Sequence, residues 1–301
     1  MLKKIAICLA LVLCQHIMSG QTRKIVPDQY ATIQAAVDAA THGDTVLVKP
    51  GVYHGAIDFK GKEILVTSLF RLTSDTSYIT NTIVTPDPAI STFANSRAAW
   101  FKNGETSKTE LSGFTIKDFR TDCCGEGIIE IVSATPRLSY LRLNNILGTG
   151  ANAITVNGVH TSRPIILEGV EIKNSEIPIN SDSASVTLLN CSITNNGGGL
   201  HIQHGGELVL INSLIDDNHI FGGLNFSGRK LIFFNSIART SIPYHGNIPP
   251  SVSVSADSLI IRNGIVNSIE ILNANFIDTT GFVVNTNPMY SYVSIRVLGF
   301  E

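Results

Sequence analysis

One phrase recurs in the second half of this chain and limits the fold more than any other feature. Each copy has a short apolar run, an asparagine, a small residue and further apolar residues. The copies are VTLLNCSITNN, LVLINSLIDDN, LIFFNSIARTS and LIIRNGIVNS, and their asparagines are Asn190, Asn212, Asn235 and Asn263. They recur every 22 to 28 residues, which is the period of a solenoid built from stacked, similar units.

The pattern inside each copy indicates strands rather than helices. Apolar residues such as Leu208 and Leu210 alternate with a period of two, and each run is too short for an independent helix. A second alternating run follows each phrase, as in LHIQ, LNFS and VSVS. Short strands repeated at this interval predict a parallel β-solenoid, with coils stacked about 4.8 Å apart.

The repeated asparagines are predicted to be structural. Asn tolerates the left-handed conformation that a tight turn needs. One Asn per coil can also stack on the next, because its amide both donates and accepts hydrogen bonds along the axis. Asn190, Asn212, Asn235 and Asn263 are therefore expected to form a ladder that satisfies buried turn backbone.

The beginning of the chain resembles an export signal. Lys3 and Lys4 precede an apolar stretch from Ile5 to Leu13, and Ser19–Gly20 provides small residues for cleavage. Residues 1–20 are therefore predicted to be a signal peptide, and residues 21–301 a single domain. No later stretch is long and apolar enough to span a membrane. The protein is expected to be secreted or held at the cell surface.

A short amphipathic helix is predicted at about residues 32–42. Its apolar residues fall at i, i+3, i+4 and i+7, which places them on one face. Thr32 is suited to cap its start and Gly43 to end it. Such a helix would cover the open core and strand edges of the first coil. The apolar residues are Ile33, Ala36, Val37 and Ala40.

This opening also carries a family resemblance. Ala31-Thr32-Ile33-Gln34-Ala35-Ala36, then Gly43-Asp44-Thr45-Val46 and Gly51-Val52-Tyr53, resemble the start of right-handed parallel β-helix proteins of the pectin-lyase-like superfamily. The later asparagine coils are similar to the superfamily's repeat. The resemblance implies an all-β, right-handed parallel β-helix with a short N-terminal capping α-helix. It implies no particular activity, because the superfamily includes lyases, hydrolases, esterases and phage tailspikes.

Composition restricts the partners. Charged residues make up 15% of the chain and the formal net charge is −2, so no basic stripe for nucleic acid is expected. No cofactor is predicted. Calcium would need several carboxylates converging from neighbouring coils, and only Asp216 and Asp217 cluster in this way, which leaves calcium as an alternative.

A polar strip is predicted on one exposed sheet. The strands after each asparagine turn have large apolar residues facing inward, so the intervening residues face outward. Candidate substrate-binding residues among them are Asn157, Gln203, Asn225 and Ser253. The strip also contains Thr155, Asn180, His201, Ser227 and Ser255, and Glu130 and Glu270 flank it. These side chains suit sugar hydroxyls, and equally suit an ordinary solvated sheet.

The best acid–base cluster in the sequence is Asp217 with Arg239 one coil later and His201 nearby. These three are the candidate catalytic residues. The alternative is that Asp217 is a turn residue in an ion pair between coils, because Asn195 and Asn174 hold the same turn position in other coils. Motifs of polygalacturonase-like and pectin-methylesterase-like proteins are absent.

Three functions remain open from the sequence. The first is a secreted β-helix protein that contacts a polysaccharide or cell-surface glycan and has no recognisable catalytic centre. The second is a polysaccharide lyase or glycoside hydrolase with a non-standard site. The third is a structural or adhesive surface protein in which the solenoid is a rigid spacer.

Overall fold

The computed structural model describes residues 21–89, 97–121, 127–158, 163–204, 206–216, 218, 223–239, 252–266 and 269–284. Strands make up 55% of the structure and helices 7%, and the strands form a parallel β-solenoid of about 8 turns. This confirms the predicted all-β fold class. The predicted signal peptide at residues 1–20 lies outside the described residues.

The strands are short except for the three long ones near the C-terminal end. In chain order they are β1 (Arg23–Val26), β2 (Thr45–Val48), β3 (Gly51–His54), β4 (Ile57–Asp58), β5 (Leu65–Ser68), β6 (Thr82–Thr85), β7 (Ala99–Phe101), β8 (Glu110–Ser112), β9 (Thr115–Lys117), β10 (Gly127–Val132), β11 (Arg137–Ser139), β12 (Arg142–Ile146), β13 (Asn152–Asn157), β14 (Ile165–Glu168), β15 (Glu171–Ser175), β16 (Ile177–Asp182), β17 (Val186–Leu189), β18 (Ser192–Thr194), β19 (Leu200–Gln203), β20 (Glu207–Ile211), β21 (Leu214–Asp216), β22 (Leu224–Phe234), β23 (Ile237–Ala238), β24 (Val252–Arg262), β25 (Ile265–Val266), β26 (Ile269–Thr280) and β27 (Val283–Val284).

Each coil contributes one strand to each of three parallel ladders. The first ladder runs through β2, β5, β8, β11, β14, β17 and β20. The second ladder is a separate ten-stranded sheet from β3 to β27. The third ladder runs through β4, β7, β10, β13, β16 and β19. The third and first ladders are continuous in β22, β24 and β26. β22 is long enough to pair with both β19 of the third ladder and β20 of the first, and β24 and β26 extend both pairings.

Alternating burial explains why these sequences form strands. In β17, Val186 and Leu188 face the core, and Leu208 and Leu210 of β20 lie directly above them in register. All four are fully buried. Burying one such side chain stabilises the fold by about 1.5–3 kcal/mol, so a continuous apolar column along the axis holds the coils together.

The capping helix is present but shorter than predicted. Helix α1 (Ile33–Ala39) starts at Thr32, whose side-chain oxygen accepts a hydrogen bond from the Ala35 backbone N–H at 3.1 Å. Its apolar face is buried against the first coil. The helix ends at Ala39 because Ala40 is already extended, with φ −78° and ψ 152°. Gly43 does not end it. Its φ of +88° serves the turn that leads into β2.

Two further helices lie in a segment that the sequence pattern predicts to be a loop. They are α2 (Phe70–Thr73) and α3 (Ser77–Asn81), and strand β6 follows directly. The Thr115 hydroxyl of β9 donates to the Ile79 carbonyl at 2.8 Å, so a neighbouring coil holds this insertion in place. Among the helices of the described residues, none has the length and apolar character needed to cross a lipid bilayer.

Candidate functional site

Register in the third ladder arranges its outward residues in two rows along the solenoid axis. In the first row each residue pairs with the next one along the ladder, in the order Asp58, Trp100, Glu130, Thr155, Asn180, His201, Asn225, Ser253 and Glu270. The second row contains Asn157, Asp182 and Gln203, and Ser227 and Ser255 pair in the two following strands. The residues of the predicted strip are therefore in register along the axis, and the first row continues past Glu130 to Trp100 and Asp58.

Burial shortens the accessible part of this strip. Thr155, which was expected to face solvent, is only 4% exposed, and its hydroxyl accepts a hydrogen bond from the buried Asn152 amide at 3.0 Å. Thr155 therefore divides the strip, and the partly exposed Trp100 and Glu130 lie on one side of it. We give the name polar face to the outward residues of β13, β16, β19, β22 and β24 in these two rows that are at least partly exposed, and they are Asn157, Asn180, Asp182, His201, Gln203, Asn225, Ser227, Ser253 and Ser255.

The core positions these side chains. In β19, Leu200 and Ile202 are fully buried, so the pleat directs His201 and Gln203 outward. The same alternation operates in β22. Leu224 and Phe226 are buried, and Asn225 and Ser227, which follow them, face outward. A shift of one residue would bury the polar side chains, and the apolar core therefore fixes the register of the face.

His201 is the imidazole of the polar face. It is partly buried, and its burial lowers the pKa of the ring below the ordinary histidine value. The neutral form is therefore favoured near pH 7. A neutral imidazole both donates and accepts one hydrogen bond, which suits an uncharged ligand better than an ion pair.

Sequence reasoning missed a second histidine at the edge of this face. His204 has φ +58° in the turn after β19, and its Nδ1 donates to Asp182 Oδ1 of the preceding coil at 2.7 Å. The Ser183 hydroxyl donates to the same oxygen at 2.9 Å. The His204 hydrogen bond is the largest cause that holds the pKa of Asp182 below its usual value. The 22-residue repeat was the available signal, because it places residues 182 and 204 in adjacent coils.

Beyond Thr155, the first row changes character. Arg97 Nε donates to Glu130 Oε2 at 2.7 Å, in a pair that is mostly shielded from solvent. Trp100 lies next to Glu130 in register, and Lys102 Nζ is 4.2 Å from the centre of its ring. In this border region Arg97 is therefore paired with Glu130, and the Lys102 ammonium lies against the Trp100 ring.

Two members of the predicted acid–base cluster, His201 and Arg239, lie in the described structure, and Arg239 has a different partner from the predicted one. Arg239 forms its ion pair with Asp216, where Asp217 was predicted, because the Arg239 backbone N–H bonds to Ile215 and so aligns with Asp216. Asp216 belongs to the second ladder, whereas His201 belongs to the third. Asp217 lies outside the described residues. The ion pair between coils is therefore the role of Arg239 that the geometry shows.

The repeated asparagines superpose along the axis, but their side chains face solvent. Asn190, Asn212, Asn235 and Asn263 all have φ between 48° and 53°. Asn212 Nδ2 donates to Asn190 Oδ1 at 3.2 Å, and Asn263 Nδ2 donates to Asn235 Oδ1 at 3.1 Å. Their amides bond to one another at the surface, so they do not satisfy buried turn backbone with their side chains.

The residues behind these asparagines perform that buried role. Ser213 and Ser236 follow Asn212 and Asn235, and both are buried. The Ser213 hydroxyl accepts from the Cys191 backbone N–H at 3.2 Å, and the Ser236 hydroxyl accepts from the Ser213 N–H at 3.1 Å. The residue after each repeated asparagine is small, and this allows the Ser213 and Ser236 hydroxyls to fit between coils.

The described residues contain no group of three His, Cys, Asp or Glu side chains that is arranged to hold a metal ion. Asp216, one of the two carboxylates considered for calcium, is instead paired with Arg239. The polar face itself offers hydroxyls, carboxamides, one carboxylate and one imidazole, a donor set able to form hydrogen bonds to a ligand along several coils.

Comparisons with known proteins support no conclusion about the fold or the activity of this chain. No family model matches the sequence, and no curated protein matches it. A similar solved structure is a chain from Geobacillus virus E2 described as ORF18, with 12% identity and a TM-score of 0.37. The alignment covers 85% of this chain and 56% of the viral chain. This chain therefore spans little more than half the length of that protein, and a likeness of this degree has no bearing on activity.

Proposed function

We propose that this protein is exported and binds a polysaccharide on the polar face of its third ladder. The observation that carries the proposal is the register of that face. Asn180, His201, Asn225 and Ser253 occupy matching positions in consecutive strands, each able to form hydrogen bonds. A polymer with regularly repeated hydroxyl groups is the class of ligand that such a repeated donor and acceptor array fits.

The direct test is isothermal titration calorimetry of the purified chain with a panel of plant, algal and bacterial polysaccharides. The variant Gln203→Ala/Asn225→Ala removes two accessible carboxamides without touching the core. We expect it to weaken binding roughly tenfold or more, since each lost hydrogen bond costs about 1 kcal/mol. Thr187→Ala/Thr194→Ala is the matched control, because these hydroxyl residues lie on the other two ladders. Equal losses in both variants, or no binding to any polymer, would refute the proposal.

Export is a separate part of the proposal and rests on the pattern at residues 1–20. Its test is expression of the full chain in a Gram-negative host, followed by N-terminal sequencing of the periplasmic or extracellular protein. We expect the mature chain to start near Gln21. A cytoplasmic protein that retains Met1 would contradict export and would leave the binding proposal unaffected.

The His204–Asp182 pair favours a second candidate function, hydrolysis of a bond in the bound glycan. Nδ1 donates to Asp182, and within the described residues Nε2 has no hydrogen-bond partner. Nε2 would accept a proton from the attacking water and return it to the leaving oxygen. Release of reducing ends or of ester-linked acids that is lost in His204→Asn would support this activity. No product from any bound polymer would remove it.

A further inference from the structure

We infer that the ligand of the polar face is an uncharged glycan whose chain lies along the solenoid axis. This inference rests on the function proposed above and adds the chemical class and orientation of the ligand. It follows from the charges that the face presents, from the partners of the nearby cations, and from the direction in which the two rows run.

The polar face contains no lysine and no arginine among its nine residues. Its one carboxylate, Asp182, already accepts hydrogen bonds from His204 and Ser183. A polyuronate carries one carboxylate per sugar and needs cations close to each of them. Neutral sugars need only hydrogen-bond donors and acceptors, which this face supplies.

Several arginines near the face and on other surfaces are engaged by acids in the described structure. Arg229, which follows Ser227 by two residues in β22, is 3.5 Å from a Glu207 carboxylate oxygen. Arg97 is paired with Glu130 at the border of the face. Arg137 on the first ladder lies between Glu110 and Glu168, and Arg239 on the second ladder is paired with Asp216. A polyanion would have to displace these carboxylates before it could pair with these arginines.

The rows give the orientation. Asn157, Asp182, Gln203, Ser227 and Ser255 come from five consecutive strands, which are about 4.8 Å apart. The row is therefore roughly 19 Å long, and its polar side chains end on one side at Asn157, because the next residue in register is the apolar Val132. A glycan along the axis meets a new polar side chain at every coil, whereas a glycan across the axis would leave the face after one coil.

The experiment compares neutral and acidic polymers at two ionic strengths. The intact chain is titrated calorimetrically with xylan, β-glucan, galactomannan, pectate and alginate at low and high sodium chloride. We expect binding to at least one neutral polymer, with less than a twofold change in Kd between the salts, because screening does not weaken neutral hydrogen bonds. With oligomers of that polymer, Kd should fall about fivefold for each further strand reached and level off near the length of the row.

Outcomes separate the two proposals. Tighter binding of a polyuronate, weakened strongly by salt, would overturn the inference of a neutral ligand and leave polysaccharide binding intact. Binding that does not depend on oligomer length would overturn the orientation. No binding to any polymer would overturn both this inference and the proposed function.

A gain-of-function variant provides a second reading. Asn225→Lys/Ser253→Lys places two cations at paired positions of the first row, and Thr194→Lys is the control on the second ladder. We expect the double variant to bind pectate in a salt-dependent manner and to lose at least tenfold in affinity for the neutral polymer. Unchanged neutral binding together with no capture of pectate would show that this face does not contact the ligand.

Discussion

Asn196 and Asn218 lie one coil apart inside the solenoid, and the Asn196 amide Nδ2 donates to Asn218 Oδ1 at 2.9 Å. Asn218 Oδ1 also accepts from the Asn196 backbone N–H at 3.1 Å, and Asn196 Oδ1 accepts from the Ser175 N–H at 3.0 Å. Both side chains are essentially inaccessible to solvent. This pair satisfies buried turn backbone, as Ser213 and Ser236 do, whereas the exposed asparagine column does not.

The first prediction concerns this buried pair. Asn196→Ala leaves the buried Ser175 N–H without its acceptor and removes the hydrogen bonds that the Asn196 amide donates to Asn218 and to the Ile172 carbonyl, so we expect a loss of about 2–4 kcal/mol in the free energy of unfolding. Urea denaturation followed by circular dichroism measures it. Asn225→Ala, on the exposed face, is the control and should change stability by less than about 0.5 kcal/mol. Similar losses in both variants would contradict the assigned role.

The second prediction concerns the exposed column at Asn212. Its φ of +50° disfavours residues with a Cβ, and Asn and Gly tolerate it best. We expect Asn212→Ala to be less stable than Asn212→Gly by about 1 kcal/mol, although both remove the amide bond to Asn190. The urea denaturation midpoints of the two variants measure this difference in stability. An alanine variant as stable as the glycine variant would mean that backbone conformation does not select this residue.

The third prediction concerns Asp44 and acid stability. Burial alone would raise the pKa of this carboxyl, but hydrogen bonds from Thr41 and Thr22 outweigh burial and hold the pKa far below its usual range. A depressed pKa in the folded state stabilises the protein above the unfolded value near 4, and that stability is lost as pH falls below it.

We therefore expect Asp44→Asn to cost on the order of 3 kcal/mol at pH 7 and to flatten the decrease in stability below about pH 4. Thermal melts from pH 7 to pH 2.5 provide the measurement. Asp278→Asn, at a surface ion pair with Arg262, is the control and should change the stability and its pH dependence much less, because solvent screens an exposed pair. An unchanged acid limb in Asp44→Asn would contradict the prediction.

The fourth prediction concerns the Cys191 thiol, which is a buried free cysteine. Its burial raises its pKa to about 11, so little thiolate exists at pH 8. In residues 21–301 with Cys123→Ser/Cys124→Ser, where Cys191 is the one remaining cysteine, we expect no reaction with Ellman's reagent until the protein unfolds. Ser227→Cys in the same background places a thiol on the exposed face and should react within minutes. Rapid modification of native Cys191 would show that the core opens there.

Much of the architecture follows from the sequence because it depends on local patterns. Alternation in Val186–Leu189 and Glu207–Ile211 identifies strands, and the spacing of Asn190 and Asn212 gives the coil length and therefore the neighbour in the stack. Thr32 and the apolar spacing after it identify the capping helix. Short insertions such as Phe70–Thr73 lie outside the repeat, so periodicity could not predict their helical turns.

The candidate site was predictable only in part. Residue spacing places His201 beside Asn225, since strand register transfers directly from one coil to the next. It does not reveal that Thr155 is covered, because that depends on packing by segments distant in sequence. It also does not show that His204 reaches back to Asp182, because the turn conformation decides where that ring points.

The sequence by itself determined a parallel stack of coils, since a repeated asparagine phrase and period-two apolar runs leave one face of every strand to be buried. Only the tertiary structure decided which polar groups are buried or paired within the stack of coils and which remain accessible to solvent. Asn196 and Asn218 are buried in the turns, Arg239 is paired with Asp216, and Asn225 is exposed. The physical reason is that the coils above and below each residue determine its burial and its partners. The sequence pattern within one coil does not specify those contacts.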